Sequence, residues 1–295
     1  MLDLILFIIY KFFKFLVFIT PKFLVKPFLD GFANFIYYIN IEHKRYAKAN
    51  LDLVYKDTIS ESEKYTIIKG SYKNIIYNLY DFIENQTLDI DGFNDKIKIN
   101  NEDIILKAIK DKRKIILITA HYGNWEYGSS FIPLRYLPTT MVGRPMNNKY
   151  LNKELNDTRT RNNTKMITTK EAGRGLVKAL RQGRLVGLVI DQHNRTGIEV
   201  EFLGQKVLQA DSPSRLALKF DAVIIPMFFT MQSFGKYTAD VYPAIEPKEY
   251  TGDDAIQKMT QKQADIMSEH ILKKPEQWLW QHKRFKHFHK EIYAK

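Results

Sequence analysis

The chain contains no cysteine. A thiol nucleophile, a thiolate metal site and a disulfide framework are thereby excluded, while the compartment stays undecided. Apolar residues make up 45% of the sequence, yet no run of about 18 residues is free of charge, so no clean transmembrane span is expected. Other absences narrow the chemistry. There is no G-x-x-x-x-G-K-[ST] loop, no G-x-G-x-x-G, no H-E-x-x-H and no G-x-S-x-G, which removes the usual phosphate cradles, a metalloprotease helix and a nucleophilic serine elbow. Ser129 and Ser130 lack the strained turn that would expose a nucleophile. Acidic residues are the scarcer charge, 33 against 45 Lys and Arg, for a net charge of +12. Nucleic acid, anionic lipid or an acidic protein would suit such a surface. At 295 residues, one large domain with an appendage can bury a sizeable core.

Residues 1–40 differ from the rest. Leu, Ile, Phe and Tyr dominate and are interrupted by Lys11, Lys14, Lys22 and Lys26. Such a segment is expected to associate with a membrane, either lying in the interface with its lysines towards lipid phosphates or spanning obliquely with the lysines snorkelling. It lacks the basic n-region and small-residue cleavage site of a secretory signal. Pro21 and Pro27 should break the stretch, with a second apolar helix over 31–40.

From about residue 41 the chain reads as a second unit running to residue 295. Helical spacing predicts helices over 41–55 and 60–85, then a turn and short strand over 89–100 and a helix over 101–110. Beyond these, strands are predicted at 115–118, 140–143, 185–190, 222–229 and 238–244, with a small hairpin at 198–208. Helices are predicted at 149–162, 169–181, 212–220 and 253–272. The alternation implies an α/β fold with a mixed, largely parallel sheet flanked by helices.

The strand at 115–118 is β-branched and apolar, as expected of a strand buried on both faces. At its carboxyl end come His121 and, across a turn at Gly123-Asn124, Glu126. In an open α/β sheet ligands bind beyond the carboxyl ends of strands. There Glu126 could hold one ring nitrogen of His121 protonated and leave the other free as a base. The plainer alternative is a hydrogen-bonded structural histidine beside a solvated glutamate. Asn124 is placed as the cap of the following helix. The strand at 185–190 delivers Asp191, Gln192 and His193 to a second carboxyl end. Arg144, Arg159 and Arg161 lie between the two and suit an anionic substrate, although Arg159 and Arg161 also read as a solvated helix face. The run from His282 to His289 reads as a basic, aromatic tail, and the sequence supplies no evident further ligands for a metal there. These residues suit general-base transfer without a covalent enzyme intermediate.

At His121-Tyr-Gly-Asn-Trp-Glu126 the sequence resembles the late acyltransferases of bacterial lipid A biosynthesis, the lauroyl/myristoyl branch of the H-x4-D/E acyltransferases. The resemblance continues through Gly143-Arg-Pro-Met-Asn147, Arg159-Thr-Arg161-Asn162, Gly187-Leu-Val-Ile-Asp-Gln192, Val200-Glu-Phe-Leu-Gly204 and Pro275-Glu-Gln-Trp-Leu-Trp280-Gln-His-Lys-Arg-Phe285. It implies transfer of a fatty acyl chain from acyl carrier protein to a hydroxyl of a 3-hydroxyacyl chain on a Kdo-lipid A precursor, at the cytoplasmic face of the inner membrane. It also implies His121 as base, Glu126 as the residue orienting it, Arg159 on an acceptor phosphate or the oxyanion, and Asp191 as an anchor through hydrogen bonds. Arg144 and Arg161 complete the expected substrate-binding set. No metal, cofactor or nucleic acid is implied. A long apolar pocket measuring the acyl chain is expected beside His121. Glutamate replaces the aspartate of the wider superfamily at Glu126, as is common in this branch. An H-x4-E acyltransferase acting on another membrane lipid is the alternative, and a basic membrane-surface or nucleic-acid-binding protein is the non-enzyme one.

Overall fold

The computed structural model describes residues 2–294. The amino-terminal helices are α1 (Leu2–Ile19), α2 (Lys22–Ile39), α3 (Ile41–Tyr55) and α4 (Glu61–Glu84). Pro21 separates the first two, but Pro27 lies inside α2 rather than ending it. Only one intrahelical bond is forfeited there, and burial of Val25, Leu29 and Ala33 against Ile76, Tyr77 and Tyr80 of α4 compensates. At the start of α4, Ser60 and Glu63 form a capping box.

Next come α5 (Ile90–Lys96), β1 (Ile97–Asn100), α6 (Asp103–Lys110), β2 (Lys114–Thr119), α7 (Tyr127–Arg135), β3 (Thr139–Val142) and α8 (Lys149–Thr160). They are followed by β4 (Thr164–Ile167), α9 (Ala172–Arg181), β5 (Leu185–Val189), the hairpin β6 (Ile198–Phe202) and β7 (Gln205–Gln209), and α10 (Ser212–Phe220). The chain continues with β8 (Ala222–Ser233), β9 (Lys236–Val241) and α11 (Ala255–Lys273). Seven strands form one sheet in the order β1-β9-β8-β2-β5-β3-β4. All neighbours are parallel except β8 and β9. The expected α/β architecture with a mixed, largely parallel sheet is therefore observed. Strand β4 was not foreseen: it is short, sits at the sheet edge and lacks an apolar run.

Strand β2 is central, and its unbroken apolar run follows from cover on both faces. Ile116 and Ile118 join a core built with α3, α4, α9, α10 and α11, whereas Ile115 and Leu117 join one built with α5, α6 and α7. The carboxyl-terminal segment belongs to the first core. Trp278, Trp280, Arg284 and Phe285 are fully buried, so the stretch from His282 to His289 expected to form a basic tail is interior at Arg284 and Phe285.

The lysines of α1 turn back onto the protein. Lys11 pairs with Glu154 of α8 and Lys14 bonds Gln86, while Phe7 stacks on Tyr150 at 5.4 Å. The outward surface left on α1 and α2 is largely apolar, including Ile5, Ile8, Phe12, Phe15 and Phe18, then Phe23 and Phe35, with Lys22 and Lys26 exposed among them. Among the described residues, no helix is long and apolar enough to cross a membrane.

His270 of α11 packs its ring face to face on Phe228 and contacts Tyr122, the residue after His121. Its nitrogens meet Thr230 Oγ1 at 3.0 Å and the Tyr242 hydroxyl at 2.9 Å. Burial pushes its pKa down to about 4, with Asp240 opposing the fall and Lys273 adding to it. A histidine held neutral in this way stabilises the fold fully above the unfolded value of about 6.5, and the contribution is lost as pH falls towards 4. From pH 7 to 4.5, urea-unfolding free energy should fall by about 2–3 kcal/mol more for wild type than for His270→Phe. Equal pH slopes in the two proteins would refute a neutral buried His270.

Candidate active site

Strand register brings two distant residues together. Thr119 of β2 faces Val189 of β5 in a parallel pair, and the Ile190 amide extends the ladder to the Thr119 carbonyl. Two residues further along each strand lie His121 and Asp191. Asp191 Oδ1 accepts from His121 Nδ1 at 2.7 Å, and Oδ2 accepts from the His121 backbone amide at 2.9 Å and from Trp278 Nε1 at 2.7 Å. The carboxylate is 2% exposed. Burial alone would raise its pKa, but the adjacent His121 ring and these donors outweigh that and hold it down to about 2. An ionised acceptor on Nδ1 fixes the proton there and leaves the Nε2 lone pair facing the cleft, where the Gln192 side-chain amide lies 3.3 Å away.

The orienting carboxylate is thus Asp191, and the expectation that Glu126 holds the ring is corrected. Glu126 stands just before α7, turned towards α8, and both its oxygens accept from Arg159, from Nε at 2.9 Å and from Nη2. This bidentate pair forms part of the cleft wall. Four residues of chain separate His121 from Glu126, and the tight turn between them aims the two side chains at different partners.

That turn is held from beneath. Gly123 has φ +51°, and a Cβ there would lie 1.7 Å from the Phe229 carbonyl oxygen, so no other residue fits without moving β8. From α4, Asn74 donates to the Gly123 carbonyl at 3.1 Å and Asn78 to the same atom at 2.6 Å. Asn124 was expected to cap α7. Instead it is fully buried and donates its amide to Asp81 Oδ2 at 3.1 Å. Burial raises the pKa of Asp81, with Lys96 and Tyr237 opposing. Beyond the turn, the Leu279 amide bonds the His121 carbonyl, so the 277–279 segment continues the support. Arg284 is buried and donates to the carbonyls of Gln192 and Leu208 at 2.8 Å each, which anchors the chain just after Asp191. Burial lowers its pKa to about 10, and it stays cationic at neutral pH.

His121 opens into a cleft of about 650 Å³. Arg144, Arg159 and Arg215 give it a basic wall, and Met141, Leu155, Met166, Leu176, Leu188 and Leu216 give it an apolar one. Of the three arginines singled out in the sequence, Arg144 and Arg159 line the cleft. Arg161 does not: it is exposed at the end of α8 and contributes nothing to the cleft lining, while Arg215 of α10 does. Among the described residues, no three His, Asp or Glu side chains gather as a metal-ligand set. Trp278, Gln192 and the asparagines of α4 were missed as site residues. The spacing of Asn74, Asn78 and Asp81 along one helical face, polar within an otherwise apolar surface, was a legible cue.

Residues 1–287 match the family model described as bacterial lipid A biosynthesis acyltransferase. The chain belongs to that family. Among curated relatives of this acyltransferase family member, a lipid A biosynthesis palmitoleoyltransferase of Escherichia coli (strain K12) is 26% identical over 188 residues, 62% of this chain and 60% of that protein. A phosphatidylinositol mannoside acyltransferase of Mycobacterium tuberculosis (strain CDC 1551 / Oshkosh) is 27% identical over 168 residues, 55% of this chain and 52% of the relative. The match thus spans about half the length of the mycobacterial protein. A crystal structure of the 1-acyl-sn-glycerophosphate acyltransferase PlsC from Thermotoga maritima aligns over 83% of this chain and 97% of its own, with a TM-score of 0.41 and 13% identity.

Proposed function

We propose that this family member transfers a fatty acyl chain from the thioester of acyl carrier protein to a hydroxyl of a 3-hydroxyacyl chain on a Kdo-lipid A precursor. One observation carries the reading: a histidine whose Nδ1 is held by a buried, ionised carboxylate presents its free Nε2 to a cleft with one basic and one apolar wall. The acceptor hydroxyl takes the place of the Gln192 amide at Nε2. His121 Nε2 removes its proton as the oxygen attacks the thioester carbonyl. The C–S bond then breaks, and the imidazolium returns the proton to the departing thiolate, so ester and free thiol form with no net change at the enzyme. Asp191 stabilises the transient imidazolium without itself becoming protonated. Arg144 and Arg215 at the cleft wall suit the phosphates of the acceptor, and the overall positive charge suits an acidic carrier protein.

The apolar outward face of α1 and α2 supports residence at the cytoplasmic surface of an inner membrane, with both helices lying in the interface. The mycobacterial relatives favour a second reading in which the acceptor is another glycosylated membrane lipid.

Both readings are tested by presenting a panel of acyl carrier protein thioesters to vesicles doped with either a Kdo-lipid A precursor or a mannosylated phosphatidylinositol. Product mass identifies the acceptor, and co-sedimentation with the vesicles tests the membrane assignment. Transfer to the lipid A precursor is expected. Transfer only to the mannosylated lipid would move the substrate, and transfer to neither would reject the proposal.

A further inference from the structure

Met141 occupies an unusual position at the inner end of the cleft. It projects from β3 into space left by two glycines: a Cβ on Gly187 of β5 would lie 3.1 Å from Met141 Cγ, and one on Gly128 of α7 would lie 3.4 Å from Met141 Cε. Behind it lies a second, small cavity of about 30 Å³, lined by residues such as Leu117, Ile132, Leu185, Met227 and Phe229. Met141, Trp125 and Leu188 line both spaces and so form the partition between them. The inner cavity is almost entirely apolar, and Met141 itself is buried. Of the three, Met141 is the long, unbranched thioether, resting on two bare backbone positions, and its placement responds to small changes on either side.

We propose that Met141, positioned by Gly187 and Gly128, is the residue that sets the length of the acyl chain this protein accepts. The inference rests on the acyl-transfer reading above. An acyl chain whose carboxyl end reacts at His121 runs along the apolar wall until its terminal methyl meets the Met141 side chain. A shorter chain leaves apolar wall uncovered, and a longer one must displace the methionine. Shortening Met141 joins the inner cavity to the cleft. Adding a methyl at Gly187 pushes the methionine the other way, into the cleft.

The test compares transfer rates from straight-chain acyl carrier protein thioesters of increasing length for wild type, Met141→Ala, Met141→Leu and Gly187→Ala, with thermal unfolding of each. Met141→Ala should shift the optimum to chains longer by about two to four carbons, each carbon of mismatch being worth about tenfold in selectivity. Gly187→Ala should shift it to shorter chains, and Met141→Leu, nearly equal in volume, should keep the wild-type optimum. An unchanged optimum in both folded Ala variants, with wild-type transfer intact, would overturn the role of Met141. Absence of transfer by wild type would reject the functional reading instead. In that event, displacement of a fluorescent fatty acid by the same chain-length series decides the inference: a cutoff that moves in opposite directions in the two variants supports it, and one that stays fixed overturns it.

Discussion

Asp191→Asn should lower kcat at least about a thousandfold while leaving the fold intact, because an asparagine of the same shape cannot hold Nδ1 protonated as a carboxylate does. Its amide can donate to Nδ1, which drives the ring proton to Nε2 and removes the lone pair that must accept from the substrate. It also withdraws the negative charge that stabilises the imidazolium. The three hydrogen bonds now made by Asp191 explain why the effect should fall on turnover more than on binding, since none of them reaches into the cleft. Steady-state kinetics with circular dichroism as the folding control measures this. A folded Asp191→Asn protein within tenfold of wild-type kcat would show that the ring is oriented by something else.

The Glu126–Arg159 pair should behave differently. Its side chains are 14% and 19% exposed, so either charge left alone in the wall is poorly solvated. Glu126→Gln and Arg159→Met should each cost about 2–4 kcal/mol in unfolding free energy. The double variant should recover about 1–3 kcal/mol relative to their sum. Glu126→Gln should also reduce kcat by less than Asp191→Asn does, since Glu126 acts on the wall that carries Arg159. Urea unfolding of the four proteins completes the cycle. Strict additivity would mean that the pair is not coupled, and a greater loss of kcat in Glu126→Gln than in Asp191→Asn would restore Glu126 as the orienting residue.

Much of the fold was legible because burial leaves periodic marks. The apolar run at 115–118 and the one at 222–229 both became central strands, and the alternation of helix and strand gave the mixed sheet. Edge strand β4 carried no such mark. His121 and Asp191 were each legible as the end of a strand, but their pairing was not, because sequence order does not reveal that β5 lies beside β2. Spacing instead favoured Glu126, which is near in sequence and distant in role. The stretch containing Arg284 and Phe285 reads as a surface tail because its composition is basic and aromatic, yet both side chains are interior. What composition could not report is that Arg284 donates to three acceptors inside the core. The lysines of α1 deceived in the opposite sense: Lys11 has its partner on α8 and Lys14 bonds Gln86, so both find partners within the protein.

The central claim is direct transfer with His121 as the base. The measurement that tests it most directly is mass spectrometry of a single turnover, wild type against His121→Ala, with an acyl carrier protein thioester and the lipid acceptor present together. Wild type should yield acylated acceptor and free carrier thiol in equal amounts, with unmodified enzyme throughout. His121→Ala should slow both products about a hundredfold or more. Product formed at the wild-type rate by His121→Ala, or an enzyme species heavier by one acyl group, would contradict the account.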